Sequence, residues 1–140
     1  VLHIFFNIIA FAFFMEHPIV AKILKEGISS VDLSMLDKTR ENKILNYLGE
    51  RLYKLNKVSE AAIILEKAGN FETLTEMGDE LLVQSKAELA ALCFIPTKDK
   101  ERLNNVAVLC MKAMNFELAA KSYEAAGNLE MANFLKNNYC

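Results

Sequence analysis

Tryptophan is absent from these 140 residues, and proline (2), histidine (2), cysteine (3) and glycine (5) are scarce. Too little proline and glycine is present for a collagenous chain or a low-complexity disordered one. Three cysteines, Cys93, Cys110 and Cys140, are an odd number far apart in sequence, so they make no disulfide framework. Cys93 and Cys110 stand in apolar runs, Ala-Leu-Cys-Phe and Val-Leu-Cys-Met, where a thiol behaves as a small hydrophobe. Reduced cysteines point to an intracellular protein. An excess of one charge is also missing: 16 Lys and Arg against 18 Asp and Glu leave a net charge of -2. That balance excludes a surface built to coat nucleic acid, which needs clustered positive charge. Catalytic and metal signatures are lacking as well. The two histidines, His3 and His17, have no Cys or carboxylate neighbours at metal-ligand spacing. The five glycines are isolated, so no phosphate-cradling loop exists, and no Gly-x-Ser-x-Gly elbow occurs. We expect no enzyme activity, no cofactor and no metal.

What is there falls into two unlike parts. Residues 1–15 carry no Asp, Glu, Lys or Arg and hold five of the nine Phe. A helix of that length reaches only about 23 Å, short of the roughly 20 apolar residues that cross a bilayer. Extending it to Leu24 would bury Glu16, His17 and Lys22. Three readings stand: a segment buried in an assembly, a shallow membrane anchor, or a leader ahead of Met15. Residues 16–40 read as a short helix and linker, with Pro18 in the first turn, Gly27 as its stop and a further short helix through Leu33, Met35 and Leu36.

Residues 41–140 are helical in pattern throughout, with apolar side chains three and four apart and no sustained alternation. Stripes run through Ile44, Leu45, Leu48, Leu52 and Leu55, then Val58, Ala61, Ala62, Leu65 and Ala68. Others run through Leu103, Val106 and Cys110 and through Ala119, Tyr123 and Ala126. Two of them repeat. Residues 61–72 (Ala-Ala-Ile-Ile-Leu-Glu-Lys-Ala-Gly-Asn-Phe-Glu) recur 58 positions later as 119–130 (Ala-Ala-Lys-Ser-Tyr-Glu-Ala-Ala-Gly-Asn-Leu-Glu), with seven of twelve residues identical. Small Ala on one face lets two helices approach closely. Gly69 and Gly127 suit the left-handed residue that ends a helix, and Asn70 and Asn128 can cap the next. The 24 residues between the copies, 76–99, are too few for a further copy and read as one long or two short helices ended by Pro96. The mixed-charge run Lys98–Arg102 reads as an exposed helix start with Thr97 as N-cap. The carboxylates Glu72, Glu76, Asp79 and Glu80 read as a solvated helix face.

The register of Leu45, Leu48-Gly49, Leu52, Ala61, Leu65 and Ala68, and of Leu103, Val106-Ala107, Cys110, Ala119, Tyr123 and Ala126, resembles tetratricopeptide (TPR) repeats, whose unit is about 34 residues. The first large aromatic of that family is Leu here, and its closing Pro is Thr73 or Met131. The pattern is similar to the degenerate repeats that follow β-propellers in coatomer and intraflagellar-transport subunits. The resemblance implies an all-α, TPR-like right-handed α-solenoid of stacked antiparallel helix hairpins. It also implies a non-catalytic scaffold within a trafficking or transport assembly, cytoplasmic or ciliary. Protein partners would be a peptide or helix in the groove, or neighbouring scaffold subunits. The leading helices would line that groove, making Asn46, Tyr47, Glu50, Tyr53 and Lys54 candidate contacts, with Asn104, Asn105 and Met111 in the second copy. The alternative is a membrane-associated adaptor anchored by residues 1–15.

Overall fold

A computed structural model describes residues 37–140 and Lys22. The expectations for residues 1–15, and for the short helices between Pro18 and Leu36, lie outside the described residues. Seven α-helices and one 3-10 turn follow in order: α1 Lys38–Lys54, α2 Val58–Lys67, α3 Phe71–Val83, α4 Ala87–Phe94, the turn Ile95–Thr97, α5 Lys100–Lys112, α6 Phe116–Ala125 and α7 Leu129–Asn138. No strand occurs among the described residues, so the all-α class holds.

The helices come in pairs joined by tight turns, and the turns follow a fixed interval. Asn56, Ser85 and Met114 separate the members of the pairs α1/α2, α3/α4 and α5/α6, with φ near +60° at each. Gly69, Lys98 and Gly127 separate one pair from the next, again at positive φ. Both series advance by 29 residues. The 58-residue spacing seen in sequence is therefore two units, and a further helix pair, α3/α4, stands between α1/α2 and α5/α6. Residues 76–99 alone are five short of such a unit and hold the rest of α3 and all of α4, two helices as the sequence allowed; the unit is completed by residues 71–75, which the sequence reading gave to the first copy. The middle pair escaped notice because its Ala90-Ala91 is followed by Ile-Pro-Thr-Lys-Asp where the others have Ala-Gly-Asn.

Local hydrogen bonding explains why such turns form. After α1 the Lys57 N–H donates to the Leu52 carbonyl at 2.9 Å and the Asn56 N–H to Tyr53 at 3.0 Å. The same pair of bonds recurs at Ser85 and Lys86, Gly69 and Asn70, Met114 and Asn115, and Gly127 and Asn128. A left-handed residue followed by such a back-bond closes the helix and satisfies carbonyls that would be orphaned. The next helix starts at once: Asn70, Asp99, Asn115 and Asn128 accept backbone N–H bonds from Thr73, Arg102, Leu118 and Met131. The cap of α5 is Asp99 rather than the expected Thr97, whose hydroxyl instead donates to the Phe94 carbonyl at 2.6 Å.

Packing repeats in the same register. Leu45, Leu74 and Leu103 are fully buried, as are Leu48 and Val106, with Met77 nearly so. Ala61, Ala90 and Ala119 line the second helices with no exposed surface. The two helices of each pair meet where the first carries a small residue. A Cβ on Gly49 would lie 2.5 Å from Leu65 Cγ, and one on Gly78 would lie 2.6 Å from Phe94 Cζ. The equivalent positions of the third pair are Ala107 and Tyr123, both buried in the same core. In α7 the same position is Lys136, whose ammonium reaches back to Glu124 on α6 at 2.6 Å. The second helices α2, α4 and α6 pack in succession against one another. A small core of Ile44, Leu45, Leu48, Leu52, Ala61 and Ile64 lies within the first pair, a larger one runs from Val58, Ala62 and Leu65 of α2 through the remaining helices, and Tyr53 packs against both. No helix among the described residues is long and apolar enough to cross a membrane.

Candidate interaction site

Successive first helices are joined by polar bridges. Asn70, the cap of α3, donates to Asn46 of α1 at 3.1 Å, and Asn128 of α7 repeats the contact with Asn104 of α5 at 3.5 Å. Two residues expected to meet a partner thus hold neighbouring units together. Between α3 and α5 the bridge is ionic. Arg102 Nε and Nη2 each lie 2.8 Å from one oxygen of Asp79, and Nη1 lies 2.8 Å from Asp99. A two-pronged guanidinium–carboxylate pair is geometrically specific as well as strong. Hydrogen bonding from Arg102 holds the Asp79 and Asp99 carboxyls below their ordinary range. Asp79, read from sequence as part of a solvated face, is a cross-unit partner.

Between α1 and α3 the surface opens into a cleft of about 220 Å³. From α1 come Glu50, Tyr53 and Lys54; from α3 come Thr73, Glu76, Met77 and Glu80. Met77 is 6% exposed and forms an apolar floor, while Glu50 and Glu76 are exposed rims. The Tyr53 hydroxyl donates to Glu80 Oε2 at 2.9 Å, tying the two helices across the cleft. Burial, then the hydrogen bond and charge of Glu80, push the Tyr53 phenol up to about 12. Three carboxylates face one ammonium here, so the cleft is net acidic.

Of the sequence candidates, Glu50, Tyr53 and Lys54 are gathered in this cleft. Tyr47 is half-buried against the first core. Met111 packs on the larger core, where its sulfur accepts the Tyr123 hydroxyl at 3.8 Å. Asn105 is exposed on α5, away from the cleft's lining. Sequence reasoning missed Thr73, Glu76, Met77 and Glu80. The one signal for them was the 29-residue offset that relates Glu50 to Asp79 and Thr73 to Arg102, which the 58-residue repeat concealed.

A second, wider concavity lies near the C-terminus between Glu88, Met114, Phe116 and Tyr139. Phe116 and Tyr139 stack there with ring centres 4.7 Å apart. Cys93 and Cys110 are buried, and burial pushes each thiol up to about 11. Among the described residues no group of three His, Cys, Asp or Glu is placed to hold a metal. No protein-family model, curated protein or solved structure matches the chain.

Proposed function

We propose that the chain is a TPR-like α-solenoid acting as a non-catalytic protein-interaction scaffold, part of a cytoplasmic assembly of the trafficking or transport kind. The observation that carries this reading is the 29-residue recurrence of turn, cap and buried positions through three helix pairs and a seventh helix. Units that meet only their neighbours build an extended surface suited to binding proteins. The face formed by α1 and α3 offers what a protein partner needs: an apolar floor, a polar rim and an aromatic edge. Reduced, buried thiols favour the cytoplasm.

Two experiments test the two halves of this reading. Deleting residues 71–99 removes one unit and joins Asn70 to Lys100 in register. A stacked array gives a folded, helical and less stable chain, whereas a chain that unfolds outright overturns the array. A photo-crosslinking residue placed in turn at Thr73, Ile63 and Met114 samples three faces in cells. The scaffold reading expects a discrete protein adduct from at least one site, and none from all three overturns it.

A further inference from the structure

The repeat supplies its own comparison for the cleft between α1 and α3. One unit later, the positions of Glu50 and Thr73 are those of Asp79 and Arg102. Thr73 and Arg102 occupy the same helical position, since each backbone N–H bonds to its own N-cap side chain. In the α3/α5 interval the guanidinium of Arg102 sits on the Asp79 carboxylate with both prongs at 2.8 Å. In the α5/α7 interval both places are apolar, Val108 and Met131. The α1/α3 interval keeps the carboxylate, Glu50, but has the neutral Thr73 in the place of Arg102. There Glu50 and Glu76 have no ion pair or hydrogen bond among the described residues, and the space above Met77 stands open.

We propose that the α1/α3 cleft receives an arginine side chain from a basic segment of a partner protein, seated as Arg102 is seated one unit along. This rests on the scaffold reading and gives it a ligand chemistry. Glu50 and Glu76 take the planar guanidinium, which suits paired carboxylates better than a lysine ammonium does. Tyr53, held in place by its bond to Glu80, presents a ring for the cation to stack on. Met77 carries the aliphatic stem. Lys54 on the rim opposes a second positive charge nearby, which selects spaced rather than contiguous basic residues.

The test uses the full chain and a fluorescein-labelled peptide of alternating glycine and arginine, read by anisotropy. Control peptides carry citrulline, the neutral isostere, or lysine. Saturable binding is expected for the arginine peptide, at least tenfold weaker for citrulline, weaker for lysine and falling with salt. Glu50→Gln with Glu76→Gln should lose at least tenfold, with helical content unchanged. Thr73→Arg recreates within the chain the arrangement of Asp79 and Arg102. It should abolish peptide binding while raising the melting temperature. Equal binding of the citrulline peptide, undiminished binding to Thr73→Arg, or no saturable binding at all overturns the proposal. If crosslinked adducts still form from Ile63 or Met114 while the peptide fails to bind, the cleft assignment falls and the scaffold reading stands.

Discussion

Replacing Gly78 by Ala isolates the contact that sets how closely two helices of a pair approach. Gly78 lies in the interior of α3, where Ala is favoured over Gly by about 1 kcal/mol. On propensity alone the substitution stabilises. The added methyl would overlap the edge of the Phe94 ring, however, lying 2.6 Å from Cζ and closer still to Cε1, well inside the 3.5–4.0 Å of a good carbon contact, and Phe94 is fully buried. Overpacking of this kind costs about 1–3 kcal/mol. The net expectation is a loss of about 1 kcal/mol, or roughly 4 °C in melting temperature for a chain of this size. Phe94→Leu shortens the ring side chain, and in that background Gly78→Ala should change sign and stabilise by about 0.5–1 kcal/mol. The coupling between the two sites is then about 2 kcal/mol, to be read from a double-mutant cycle of urea denaturations followed by circular dichroism. In the third pair the position equivalent to Gly78 is Ala107, so the fold carries a methyl there when the other side chains differ. An equal effect of Gly78→Ala in both backgrounds would falsify the close-approach argument.

Gly69→Val and Gly127→Val should each lose about 1–2 kcal/mol, because both glycines have positive φ although nothing lies within 4 Å of an added Cβ. Lys98→Gly, at the equivalent turn, should move stability the opposite way by up to about 1 kcal/mol, and thermal melts giving the same sign for both kinds of change sink the turn reading. Arg102→Met tests the ionic bridge: Asp79 and Asp99 have lowered pKa values, so their contribution is present at neutral pH and is lost as pH falls through the carboxylate range. With Arg102 and Asp79 side chains 39% and 47% exposed, the variant should lose no more than about 1 kcal/mol at pH 7, and its stability should decline less below about pH 4 than the parent's. A parallel decline in both proteins contradicts the bridge. Native chain treated with a chromogenic disulfide reagent at neutral pH should show Cys140 reacting quickly, with Cys93 and Cys110 following only on unfolding; rapid reaction of all three argues against the buried placement.

Helices, stops and caps were legible where residue chemistry is explicit. Gly69 with Asn70, and Gly127 with Asn128, announce a left-handed stop followed by a cap, and the structure has both. The unit length was not legible, because three of the turns place Asn56, Ser85 and Met114 in a conformation for which Ser and Met carry no sequence signal. Lys98 in place of glycine then hid the middle unit. The cleft was half legible. Glu50, Tyr53 and Lys54 share one face of α1, but pairing them with α3 needs the 29-residue register, since Tyr53 and Glu80 stand 27 residues apart.

Lys136 sets α7 apart from the earlier first helices. Two earlier first helices present Gly49 or Gly78 as a seat into which a bulky side chain of the partner helix, Leu65 or Phe94, settles, and α5 has the small Ala107 at the same position. On α7 that seat holds an ammonium tethered to Glu124 on the helix behind it. A helix packing on α7 in the manner of α2 or α4 would meet a long charged side chain where they meet glycine, so its approach to α7 would be wider. Units spliced in by design at the Asn70 or Asp99 junctions would leave the bond between Lys136 and Glu124 in place.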